Sequence, residues 1–175
     1  MRALAHPLRL TLLELIGREG SLTSTRAAEL TGESTGSCSF HLRQLAKYGF
    51  VEPAGGAKGR ERPWRLATTD VRWSDVQAEP EASAAAEALT TLLLDRDLAA
   101  LDRYLRERSS FPTQWQEAAT ASHGLLYVTP AELSELGENL VALRERYTER
   151  LLDPKLRPKD ARPVRMLGLA FPLPS

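Results

Sequence analysis

The chain has 175 residues, 42% of them apolar, with 23 basic and 23 acidic side chains and a single cysteine. That apolar content can build a core, which excludes global disorder. One cysteine excludes an internal disulfide frame and a zinc site built on several thiolates. No stretch has the layout of a signal peptide and no apolar run reaches membrane-spanning length, so a cytoplasmic protein with no membrane partner is expected.

Although the charges cancel overall, they divide unevenly. Up to Thr69 there are ten Lys/Arg against six Asp/Glu, a net +4; from Asp70 onward there are 13 against 17, a net −4. The basic portion is the one to test for an anionic partner.

Pro7 opens a first helix, because proline is tolerated where the missing N–H has no intrahelical partner. Leu8, Leu12, Leu15 and Ile16 repeat at helical spacing, and Gly17 with Gly20 is expected to end the run. Ser21-Leu22-Thr23 reads as an extended link. Thr23, Ser24 or Thr25 can each cap a second short helix over 26–30, with Gly32 as its stop. A polar turn over 33–37 precedes a third helix, whose seam is Cys38, Leu42 and Leu45 and whose stop is Tyr48-Gly49.

Phe50-Val51-Glu52 and Trp64-Arg65-Leu66 are strand candidates joined by a glycine-bearing basic tip over 53–62. Three helices followed by a hairpin with a cationic tip predict a winged helix-turn-helix over residues 1–69. Residues 70–81, with Pro80, read as a linker. A long helix over 82–108 carries Leu94, Leu98, Leu101 and Leu105 at alternating spacings of four and three. A short helix is expected within 111–122 and a strand at Leu125–Val128. Thr129-Pro130-Ala131-Glu132 has the pattern of a capping box, opening a helix with Leu133, Leu136, Leu140, Leu143 and Tyr147 on one face. Val164–Phe171 reads as a final strand. The expected fold class is therefore mainly α with a little β: a winged helix-turn-helix followed by an α+β region over 82–175.

Ala5-His6-Pro7-Leu8-Arg9, then Ser39-Phe40-His41-Leu42-Arg43-Gln44-Leu45, then Gly49-Phe50-Val51-Glu52, form an ordered set of motifs. Together they resemble the ArsR-type winged-helix regulators over residues 1 to about 68. The resemblance implies a transcriptional regulator that docks its third helix on double-stranded DNA. Relatives often carry arginine where this chain has Phe40, which bears on base preference. The family's metal sensors cluster cysteines and histidines. Here the sole cysteine falls in the helix seam, so no metal and no other cofactor is expected.

On a helical wheel with Cys38, Leu42 and Leu45 inward, Ser37, Ser39, Phe40, Arg43, Gln44 and Lys47 face outward or flank. Hydroxyls, a guanidinium fork, an amide and one apolar group suit a major groove. The same residues could instead form an ordinary solvated face. Lys58, Arg60 and Arg62 suit phosphate contact, with a charged solubilising loop as the alternative. His41 reads as a structural or phosphate-binding imidazole, and Cys38 as a small buried hydrophobe rather than a thiol switch.

No catalytic constellation is present, and an enzyme is not expected. Phe111, Trp115, Tyr127 and Tyr147 could line a pocket for a small organic effector or could be plain core. The two leucine stripes could be internal core or a dimer seam, and a mixture is expected. The resulting expectation is a homodimeric regulator, a repressor, reading a two-half-site operator with the helix around 37–48 and a basic wing. The rival is a winged-helix module that binds protein, with the C-terminal region carrying the function.

Overall fold

Helix α1 (Pro7–Glu19) starts where His6 accepts the Leu8 N–H on its Nδ1 at 3.2 Å, a histidine acting as the N-cap. It ends at Gly20, whose φ of 82° only glycine adopts without strain. Gly17 lies inside the helix and does not stop it. A side chain at Gly17 would put its Cβ 2.8 Å from a methyl of Leu151, so the glycine permits close packing there. Helix α2 (Ser24–Thr31) is capped by Thr23, whose hydroxyl accepts the Arg26 N–H at 3.1 Å, and closes on the left-handed Gly32. Helix α3 (Thr35–Lys47) begins two residues before the end of the expected turn. The Ser34 hydroxyl accepts the Ser37 N–H at 3.1 Å and supplies a cap there.

The wing is an antiparallel pair, β1 (Val51–Pro53) and β2 (Trp64–Leu66), in the register Val51 to Leu66, Glu52 to Arg65 and Pro53 to Trp64. Leu22 joins the outer edge of β2 through two backbone bonds with Trp64, each 2.9 Å. The expected extended link is thereby tied into the sheet. Arg65 and Glu52 pair across the strands at 2.6 Å. The computed structural model describes residues 4–55, 62–68 and 79–174.

Helix α4 (Pro80–Glu107) starts on the proline expected in the linker, which takes a first-turn position. Beyond it come a 3₁₀ turn (Arg108–Ser110), α5 (Thr113–Ala118), α6 (Pro130–Glu145), α7 (Glu149–Leu152) and a second 3₁₀ turn (Pro154–Leu156). The capping box is present: Thr129 Oγ1 accepts the Glu132 N–H at 3.3 Å, and Glu132 accepts the Thr129 N–H at 2.7 Å. The chain is mostly helical with one two-stranded sheet among the described residues. Leu125–Val128 and Val164–Phe171 are extended, but among the described residues neither joins a sheet. A strand needs a neighbour, and neither segment has one among the described residues.

The structure divides into two bodies, neither of them one continuous stretch. The first takes in Met1–Leu93 and Tyr147–Pro163. Its core unites Leu12 and Ile16 of α1, Leu22, Ala27 of α2, Cys38, Leu42 and Leu45 of α3, Val51, and Leu89 of α4. The second takes in Leu94–Arg146 and Val164–Ser175. The start of α4 and the returning residues 147–163 both belong to the first body.

Arg157 ties that return segment to the end of α1. The Arg157 guanidinium donates to the carbonyls of Gly17 (2.6 Å) and Arg18 (2.7 Å) at the end of α1, and to those of Arg150 (2.7 Å) and Leu151 (3.4 Å). The last carbonyls of a helix have no intrahelical donor, and a cation there also opposes the helix dipole. Pro154 closes over Gly20, where an added Cβ would come within 2.3 Å of its ring. Nothing in the sequence marks Arg157 among its neighbouring basic residues.

Arg157→Ala should therefore lower stability by about 2 kcal/mol, the scale of hydrogen bonds to a charged group. In a chain this long that is a fall of roughly 4–8 °C in midpoint, readable by thermal unfolding. An unchanged midpoint would mean that residues 147–163 do not hold α1.

Candidate nucleic-acid interface

The orientation of α3 follows from its apolar seam. Cys38, Leu42 and Leu45 are fully buried at spacings of four and three, so they lie on one stripe. The opposite face then has no choice but to meet solvent. Phe40, Arg43 and Lys47 are exposed, while Ser37, Ser39 and Gln44 are half-buried at its margins. The helix thus presents hydroxyls, a guanidinium, an amide and an ammonium on one surface, as its spacing predicts.

Phe40 stands out on this surface because a large apolar side chain is left 51% exposed. Its ring meets His41 edge-on, with centroids 5.2 Å apart. Arg43 is steadied by its own helix, since its Nε donates to the Ser39 carbonyl at 3.2 Å. Lys47 lies 5.8 Å from the centre of the Tyr48 ring. In the wing, Arg62 is exposed. Lys58 and Arg60 fall outside the described residues.

Behind the exposed face is a pair that single-residue reasoning did not find. The rings of His6, at the head of α1, and His41, on α3, stack with centroids 4.3 Å apart. His41 Nδ1 is buried with no hydrogen-bond partner among the described residues. Burial holds the His41 imidazole below its ordinary value; His6 and Arg9 act in the same direction and Glu33 opposes them. The motif Ala5-His6-Pro7-Leu8-Arg9 carried this signal, but only the fold brings it to His41.

The four aromatic pocket candidates fall in different surroundings. Phe111 packs edge-on against Tyr104 at 5.7 Å, and Trp115 is half-buried in the same body. Tyr127 is 97% exposed, and Tyr147 belongs to the first body, beneath the Arg150 guanidinium at 5.2 Å. Among the described residues, no three His, Cys, Asp or Glu side chains group as metal ligands. No described helix is long and apolar enough to cross a membrane.

Because folded His41 resists protonation, the unfolded chain binds more protons near its ordinary value of about 6.5. Stability should therefore fall as pH drops from 7 through that value, and level off below the folded value. His41→Gln should flatten this part of the curve. Denaturant midpoints between pH 5 and 8 read the difference, and equal slopes for both proteins would contradict it.

Residues 4–54 match a family model described as a helix-turn-helix domain, a span that runs from two residues before the α1 cap to just past β1. No curated protein matches the chain. The matched region covers α2 and α3, whose packing exposes Phe40, Arg43 and Lys47 and leaves Ser37, Ser39 and Gln44 half-buried at the margins of the same face.

Proposed function

We propose that this chain is a dimeric ArsR-like transcriptional repressor that reads a two-half-site operator, with α3 in the major groove and the wing on the phosphate backbone. The observation that carries the reading is the solvent-facing side of α3, set opposite a fully buried seam. An α-helix about 10–12 Å across fits a groove about 12 Å wide. Arg43 presents its fork to a guanine, Gln44 its amide to an adenine, and Phe40 its ring to a thymine methyl. Ser37, Ser39 and Lys47 contact the flanking backbone. Lys58, Arg60 and Arg62 supply wing charge, which acts through counterion release and needs little geometry. An organic effector, in this reading, is met by Phe111 and Trp115 in the second body. The protein works where its DNA is, in the cytoplasm.

The alternative, a winged helix that binds protein, draws support from exposed Phe40 alone. The surrounding cation, amide and hydroxyls favour DNA.

Two variants separate base reading from charge. Arg43→Ala should weaken operator binding by about 1–3 kcal/mol and leave random DNA nearly unaffected. Replacing Lys58 and Arg60 together with alanine should weaken binding to every sequence alike. It should also reduce the slope of log affinity against log salt by roughly one unit per lost contact. Shift assays across a salt series check both. Unchanged operator preference in a folded Arg43→Ala protein would remove α3 as the reader and favour the protein-binding alternative.

A further inference from the structure

The second body is poor in core. None of its described residues is fully buried. Large apolar side chains lie open along it, among them Val164 (73%), Leu169 and Phe171 in the last extended segment. That segment is nonetheless held in place at two points. Arg165 pairs with Asp97 of α4 at 3.4 Å, and Gly168 lies against Leu140 of α6, where an added Cβ would come within 3.2 Å. Alternation then puts Leu167, Leu169 and Phe171 on the face opposite Gly168. The segment is thus an anchored extended run with no ladder partner among the described residues.

We infer that Val164–Phe171 pairs antiparallel with the same segment of a second copy, and that this shared ladder is the dimer seam. The inference deepens the dimeric reading above and rests on it. Three observations select the occupant. First, a body without buried side chains gains too little from apolar burial to offset the ordering of its chain. Its cover must therefore be constitutive, and another copy is present whenever the chain is. Second, the only charge in the segment, Arg165, is already paired with Asp97, which disfavours a nucleic-acid or strongly charged partner.

Third, the segment leaves a large apolar area open. Half-exposed side chains of this size leave on the order of 100 Å² each uncovered. Val164, Met166, Leu167, Leu169, Phe171 and Leu173 together leave on the order of 600 Å² open, most of the roughly 800 Å² per partner of a standard interface. An apolar run facing both ways is also the pattern of a strand covered on both faces.

Geometry fixes the register. Antiparallel pairing about a twofold axis sets one residue opposite itself, and Gly168, at the middle of the segment, has no side chain to clash there. Leu167 of each copy then lies opposite Leu169 of the other, and Arg165 opposite Phe171. Parallel pairing would instead set Arg165 against Arg165, which is repulsive.

Sedimentation at graded concentrations tests this on the full chain. The wild-type protein should be a dimer. Leu167→Asp/Leu169→Asp, which sets carboxylates opposite each other, should weaken the dimer at least 100-fold. Leu167→Lys/Leu169→Asp sets opposite charges together at equal polarity and should recover at least tenfold of that loss. A wild-type monomer of 19.4 kDa overturns both this seam and the dimeric reading. A dimer indifferent to the Asp pair overturns the seam and leaves the dimeric reading intact. Loss in the Asp pair with no recovery in the Lys/Asp pair overturns the register and the ladder with it.

Discussion

The burial of Cys38, Leu42 and Leu45 against α1, α2 and Leu22 is the constraint on which the rest of the N-terminal body depends. Each of these side chains has zero exposure, so α3 has one rotational setting about its own axis. A turn of α3 by one residue, about 100°, would bring Arg43 or Phe40 toward the core and leave a leucine in water. Either change costs more than the marginal stability of a small domain tolerates. Core packing thus chooses the face offered to a partner, although no core residue touches one. The polar face is in this sense a consequence of the apolar one.

Around that seam the fold satisfies its helix ends with unusual economy of residues. His6 caps α1 through a ring nitrogen and lies against His41 of α3. Arg157 serves the other end of α1 from a position about 140 residues away in sequence. The winged helix is therefore closed by chain that has already left it once and then leaves again at Pro163. Two glycines make this possible for different reasons. Gly20 supplies a positive φ at the end of α1, and Gly17 lets Leu151 approach the helix surface.

The second body shows the opposite balance. Its helices form for local reasons, as the Thr129–Glu132 box illustrates, yet its leucines and its extended segments stay open. Local signals make elements; only burial makes a core. A region that has the first without the second leaves its leucine stripes without a core to join, which is why they admitted two readings from sequence.

The sequence by itself determined the helices α1 to α6, the capping box that opens α6, that α3 has an apolar seam under a polar face, and that a hairpin follows. These are nearest-neighbour properties: periodicity, caps and glycine stops act within a few residues. Only the tertiary structure decided that Gly17 is a packing site and not a helix stop, that Ser34 starts α3 early, and that Thr23 is the cap of α2. It alone brought His6 to His41 and Arg157 to α1, since those contacts join residues whose separation carries no local signal. It also left Val164–Phe171 extended without a ladder. A continuous apolar run suits an extended backbone, but a strand exists only where a second strand supplies the missing hydrogen bonds.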